Sequence, residues 1–361
     1  MNNYFYLHKW CIPVKGVNRS SISDFQRSSI ELIPNELYDI LNNYNGKKVT
    51  DVYKAYEEIE NSKEIIQEYF DFLISKDFIF LSHTKDQNIS SLSMNIQYET
   101  PYIINSCIID RNNESKYSMK KLISELNSIG CKSIQLRFYT KVSLDKLKDI
   151  LTLTDDTIFR SIDLVIKYVD EGYIYELKKM LENGFNRVFT IVIHSSIKKT
   201  KVYEESRKKY IFTSSEINSC LSCGEISSSY FDINTFTYLI GLKYNTCLYK
   251  KISIDVKGNV KNCPSFPLNL GSVEKKSILE IVKLPQLRIY WTITKNQIET
   301  CRNCEFRLVC TDCRAFVENP KNIYSKPLKC GYNPFTNEWE DWSTNPLKKE
   351  VMNHYKAERN V

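Results

Sequence analysis

Nine of the chain's twelve cysteines stand between positions 220 and 330, and their spacing is the strongest chemical signal in the sequence. They are Cys220, Cys223, Cys247, Cys263, Cys301, Cys304, Cys310, Cys313 and Cys330. Cys301-Arg-Asn-Cys304 and Cys310-Thr-Asp-Cys313 are separated by five residues, and Cys220-Leu-Ser-Cys223 precedes them. A two-residue gap lets both sulfurs face one metal, because the turn between them also aims backbone N–H groups at the thiolates and spreads their charge. Thiolates in this number suit either zinc or iron–sulfur clusters by softness. The short five-residue spacer, the count of nine and the lack of any histidine between 195 and 353 favour iron–sulfur. Buried small hydrophobes are the usual fate of free cysteine, and Cys11, Cys107 and Cys131 read that way. The segment from 220 onward is too poor in periodic apolar faces to need nine core thiols.

The rest of the composition narrows the class. The chain has 361 residues, 42% hydrophobic and 26% charged, with a net charge of +7, the balance of a soluble globular protein. The start, MNNYFYLHKWCIPVKG, lacks an apolar signal region, and no uncharged apolar run reaches the ~18 residues that span a bilayer. A cytoplasmic location is expected, with no membrane association, and there thiols stay reduced and serve metals before disulfides. No Lys/Arg block exceeds Arg207-Lys208-Lys209, so nucleic acid is not expected as a partner. Ten glycines form no phosphate-binding loop, which argues against a nucleotide-driven engine.

Three units must position the cysteines. Over residues 1–85, strands at Tyr4–His8, Ser20–Phe25 and Ile30–Ile33, helices after Pro34, Thr50 and Lys63, and a strand Phe78–Leu81 make a winged-helix domain. The polar stretch His83–Gln97 reads as a linker. Residues 98–215 alternate strand and helix, with strands at Ile103–Ile109, Ser133–Phe138, Ile162–Tyr168 and Arg187–His194. Four such units predict a parallel sheet, open or curled into a degenerate partial (β/α) barrel too short to close as eight. Residues 216–345 are irregular and need a metal skeleton, and 346–361 form a C-terminal tail. The expected fold class is α/β.

Cys247 … Gly258-x₄-Cys263 … Cys301-x₂-Cys304-x₅-Cys310-x₂-Cys313 … Cys330 resembles the SPASM domain of radical-SAM peptide-modifying enzymes, whose pattern has x₃ where this chain has x₂ before Cys313. CEFRLVC, CRAF and CGYNPFTNEW resemble more narrowly the SPASM-domain peptide maturase of grasp-with-spasm systems, encoded beside an ATP-grasp ligase and a precursor peptide. CIPVKGVNRSSISDFQRSSIELIPNELYDIL is similar to the element that recognises leader peptides. The resemblance implies two [4Fe–4S] clusters. Cys301, Cys304, Cys310 and Cys330 match the second; Cys247, Cys263 and Cys313 match three ligands of the first, with the fourth from Cys220 or Cys223.

The chain departs from that family where the radical is made. After the strand ending at Ile109 it reads DRNNESKYSM, with no C-x₃-C-x₂-C loop, and Leu136–Lys141 replaces the glycine-rich SAM motif. No SAM-binding or catalytic residue is therefore assigned, and whether the protein is an enzyme stays open. The expected function is maturation of a ribosomally made peptide, with the precursor and an ATP-grasp ligase as partners; the alternative is a zinc-stabilised protein that binds peptide or nucleic acid without catalysis. Arg302, Arg307 and Arg314 read as screening cluster charge, His194 as a satisfied structural histidine, and Trp291, Trp339 and Trp342 as core or rim aromatics.

Overall fold

The computed structural model describes residues 3–85, 99–197 and 200–358; residues 86–97 of the expected linker lie outside them. The N-terminal unit runs β1 (Tyr4–Leu7), β2 (Cys11–Lys15), β3 (Ser20–Asp24), β4 (Ser29–Ile33), α1 (Asn35–Tyr44), α2 (Val49–Ala55), α3 (Ser62–Ser75) and β5 (Ile79–Ser82). β2, β3 and β4 form an antiparallel meander, and β1 pairs with β5. The helices form for the reason the spacing gives: Leu37, Ile40 and Leu41 on α1 and Ile66, Phe70 and Leu73 on α3 bury one face each, and Phe5 meets Phe70 edge-on at 5.0 Å. Strand β2 is absent from the expected pattern. Its Pro13 cannot donate to a ladder, which an edge strand tolerates. Gly16 therefore turns β2 into β3, and a Cβ there would lie 2.3 Å from the carbonyl oxygen of Arg19 and 3.1 Å from Cβ of Glu305.

The central unit alternates as its periodicity requires: β6 (Ser106–Arg111), α4 (Met119–Ser128), β7 (Ser133–Phe138), α5 (Leu144–Thr152), β8 (Ser161–Lys167), α6 (Glu171–Glu182) and β9 (Val188–His194). Ser118, Ser143 and Asp170 cap the three helices by accepting a backbone N–H three residues on. Two further strands follow, β10 (Lys201–Glu205) and β11 (Lys208–Phe212), turned by Ser206 and Arg207, both at positive φ. β12 (Lys251–Ile254), β13 (Asn259–Lys261) and β14 (Gly271–Ser272), from the cysteine-rich region, join the same sheet.

The strand order is β10-β11-β9-β8-β7-β6-β12-β13-β14, nine strands and mostly parallel. Among the described residues its two ends do not pair, so the sheet is open, one of the two forms the strand–helix alternation allows. One hydrophobic core runs from Ile104 through Phe316 to Tyr355, across residues 215 and 216 without a break. The expected tail is a helix, α9 (Pro346–Glu358), after α7 (Thr235–Lys243) and α8 (Ile278–Ile281). Met352 and Tyr355 are buried, and the Tyr355 hydroxyl bonds both the N–H and the carbonyl of Val317. No helix among the described residues is long and apolar enough to cross a membrane.

Candidate metal centre

All twelve cysteines are free thiols, and eight of the nine clustered ones fall into two foursomes. Cys263 lies within electrostatic reach of Cys223, Cys247 and Cys313, and Cys313 of Cys223 and Cys247. Cys301 lies within electrostatic reach of Cys330, Cys310 of Cys330 and Cys301, and Cys304 of Cys310 and Cys301. The antiparallel hairpin β12–β13, paired to β6 through β12, carries Cys247 just before its first strand and Cys263 just after its second, both at its open end. The pairs Cys220-x₂-Cys223 and Cys301-x₂-Cys304 each open on one turn of 3₁₀ helix, Cys220–Ser222 and Cys301–Asn303, with the second cysteine's N–H donating to the first one's carbonyl at 3.2 and 3.0 Å.

Between the two candidates of the CLSCG pair, the structure brings Cys223 into the first foursome. Gly224 explains the fit: its φ is +90°, and a Cβ there would stand 2.8 Å from Cys313 Sγ and 3.0 Å from the Phe316 ring. Cys220 instead lines a cavity of about 390 Å³ with Asp110, Tyr139, Asp255, Lys261 and Phe266, beyond the C-terminal ends of β6 and β7.

Electrostatics fit these sulfurs to a cationic core. Burial, with neighbouring thiolates adding, pushes the Cys313 thiol up to about 12. Burial does the same to Cys310, where Cys330 and Cys301 add and Lys295 opposes, again to about 12. Cys263 and Cys304 are raised well above the ordinary thiol range for the same first reason. Thiolates crowded this way are stabilised by bound metal, which reverses the local charge balance. Among the described residues, no three His, Cys, Asp or Glu side chains converge tightly enough to hold a single metal ion.

Two lysines missed from the sequence lie against the foursomes. Lys251 Nζ donates to Cys247 Sγ at 3.5 Å, and Lys295, 7% exposed, reaches Cys301 Sγ at 4.0 Å. Burial opposes charge on both, yet the thiolates outweigh it and raise both ammonium groups above their usual range. Between the foursomes lies Asp312. Its carboxylate takes Arg314 Nε at 2.6 Å and Nη2 at 2.9 Å, Lys295 Nζ at 3.2 Å and Asn245 Nδ2 at 2.6 Å. Burial alone would raise its pKa; Lys295 and Arg314 hold it down at about 2. Asn245 completes the link, because its Oδ1 accepts the Cys247 N–H at 3.1 Å.

Of the arginines expected to screen the sulfurs, Arg314 lies within electrostatic reach of Cys301 and Arg307 of Cys304, and both also hold backbone. Arg314 holds Asp312 and the carbonyls of Ile323 and Ser325, and Arg307 binds the carbonyls of Cys304 at 3.0 Å and Lys15 at 2.5 Å. Arg302 is exposed. His194 is fully buried: the Ile217 N–H donates to Nδ1 at 3.3 Å, which leaves the proton on Nε2 for the Phe138 carbonyl at 3.1 Å. Trp291 is in the core, whereas Trp339 stands at the rim against Tyr332. Cys11, Cys107 and Cys131 are buried.

Where a SAM-binding loop would follow β6, Asp110 and Arg137 stand opposite each other in register and form a buried bidentate pair, Nε–Oδ1 at 2.6 Å and Nη2–Oδ2 at 2.8 Å. The Tyr139 hydroxyl donates to the same carboxylate at 2.6 Å.

Residues 246–305 match the SPASM family, an iron–sulfur cluster-binding domain. The SPASM match takes in Cys247, Cys263, Cys301 and Cys304, and the other members of both foursomes flank it. No curated protein sequence matches the chain. Solved structures that match include Streptococcus suis SuiB bound to S-adenosylmethionine, at 10% identity and TM-score 0.33, covering 90% of this chain and 98% of SuiB. SuiB bound to precursor peptide SuiA matches at 10% identity and TM-score 0.33, covering 86% of this chain and 96% of that one.

Proposed function

We propose that the chain is an iron–sulfur protein for maturing a ribosomally made peptide, and that its SPASM region holds two [4Fe–4S] clusters. Cys223, Cys247, Cys263 and Cys313 would hold one, and Cys301, Cys304, Cys310 and Cys330 the other. The observation that carries this is the resolution of eight cysteines into two all-thiolate sets, one of them closed by Gly224. Bound, such clusters supply structural cross-links and one-electron chemistry.

The N-terminal unit supports a winged-helix reading in which the precursor's leader adds as a strand. β4 pairs with β3 alone among the described strands and exposes Leu32, so it offers both main-chain bonds and an apolar contact. The cavity beyond β6 and β7 would receive the core peptide, and a grasp-with-spasm partnership would hand it to an ATP-grasp ligase. No radical step is assigned, because the loop after β6 carries no cysteine and Arg137 closes on Asp110 there.

The test is binding of the precursor peptide encoded beside the gene, measured by fluorescence anisotropy on anaerobically purified protein. Binding by the leader half alone, weakened at least tenfold (about 1.4 kcal/mol) by Leu32→Asp, is expected. Binding unaffected by removal of the leader would contradict the reading.

A further inference from the structure

Each cysteine foursome has an ammonium against one of its sulfurs. Lys251 Nζ stands 3.5 Å from Cys247 Sγ. Lys295 is buried 4.0 Å from Cys301 Sγ. It shares Asp312 with Arg314, so two cations meet one carboxylate. Arg314 already takes both carboxylate oxygens, and the surplus positive charge at that junction is directed at the second foursome. A surface lysine placed to stabilise a fold would sit beside a carboxylate in water; these two sit beside sulfur, Lys251 half-buried and Lys295 withdrawn from water.

We infer that Lys251 and Lys295 set the reduction potentials of the two clusters, each raising the potential of the cluster beside it. This rests on the cluster reading given under Proposed function. One electron entering a cluster from an external one-electron donor adds one negative charge and breaks no bond. A cation fixed within a few ångströms in a water-poor setting favours that added charge far more than the same cation in solvent would. The arrangement also divides the work. Lys251 lies on β12 next to the first foursome, Lys295 precedes the second, and the Asp312–Asn245 link joins their surroundings through the Cys247 N–H.

The test is a redox titration of the full chain with dithionite and mediators, followed by EPR, with iron and labile sulfide assayed on the same samples. Lys251→Met should lower one midpoint potential and Lys295→Met the other, while Lys251→Arg and Lys295→Arg stay near wild type. Lys→Gln at each site serves the same comparison where a Met variant loses its cluster. Midpoints that do not move in variants retaining full iron and sulfide would overturn the inference. Wild-type protein without labile sulfide would instead overturn the cluster reading on which it stands.

Discussion

Glu305, the residue after Cys304, accepts the Arg19 guanidinium of the N-terminal unit, Nε to Oε1 at 2.8 Å, while itself only 1% exposed. The Tyr332 hydroxyl bonds the same oxygen, and Ser21 on the fully buried β3 donates to the Glu305 carbonyl at 2.8 Å. Phe25 lies against Tyr238 at 4.5 Å in a cluster that also takes in Ile226, Phe306 and Cys330. The leader-binding candidate is thus bolted onto the loop that carries the second foursome.

Arg19→Ala should expose the cost of that bolt. It leaves a buried carboxylate without its cation, so unfolding in urea should occur with about 1–3 kcal/mol less stability. A change within about 0.5 kcal/mol, the range of an ordinary surface substitution, would contradict the assigned role.

Asp312→Asn leaves Lys295 and Arg314 buried without their anion and should cost about 3–5 kcal/mol at pH 7. The aspartate's pKa falls on folding from 3.8 to about 2, so its stabilisation is full above 3.8 and is lost as pH drops through about 2. Urea unfolding of wild type and variant should differ by a constant amount from pH 7 to about pH 4, and the gap should narrow below that. A gap that widens on acidification would be the wrong sign.

Asp110 and Arg137 test whether the end of β6 is a structural closure. Arg137→Leu alone should lower stability by about 3–5 kcal/mol, since Asp110 is left buried without its cation. Adding Asp110→Leu should recover most of the loss, which a double-mutant cycle in urea would measure. Independent, additive losses would contradict the pairing.

Cys220 and Cys223 should separate cleanly. Cys223→Ser, and Gly224→Ala through its clash with Cys313, should each remove about half of the bound iron, whereas Cys220→Ser should keep all of it. Iron per chain, assayed after anaerobic purification, decides between them. Equal loss from both cysteine variants would return the fourth ligand to ambiguity.

Much of this site could be read from spacing alone, because thiolates that share a metal are held at short, fixed intervals by tight turns. Spacing marks the cysteines as metal-directed, whereas the division that puts Cys301, Cys304, Cys310 and Cys330 together comes from the resemblance to the SPASM domain; the helices with their apolar faces at Leu37, Leu122 and Leu177 are legible from periodicity. The choice between Cys220 and Cys223 is not, since both belong to one CLSCG segment. It depends on a long-range approach whose sole local trace is the glycine after Cys223. Lys251, Lys295 and Asp312 left no periodic signal, although an acidic residue inside Cys310-x₂-Cys313 is an odd neighbour for thiolates and marks a need for nearby cations. β10 and β11 were hidden for a different reason: their turn uses Ser206 and Arg207 at positive φ, where Asn-Gly would have announced a hairpin.

The central claim is that the cysteine-rich region holds two iron–sulfur clusters. Iron and labile sulfide per chain, with Mössbauer spectra of anaerobically purified ⁵⁷Fe-labelled protein, measure it directly. Roughly eight of each and the spectrum of [4Fe–4S] centres are expected. Colourless protein carrying zinc and no labile sulfide would contradict it.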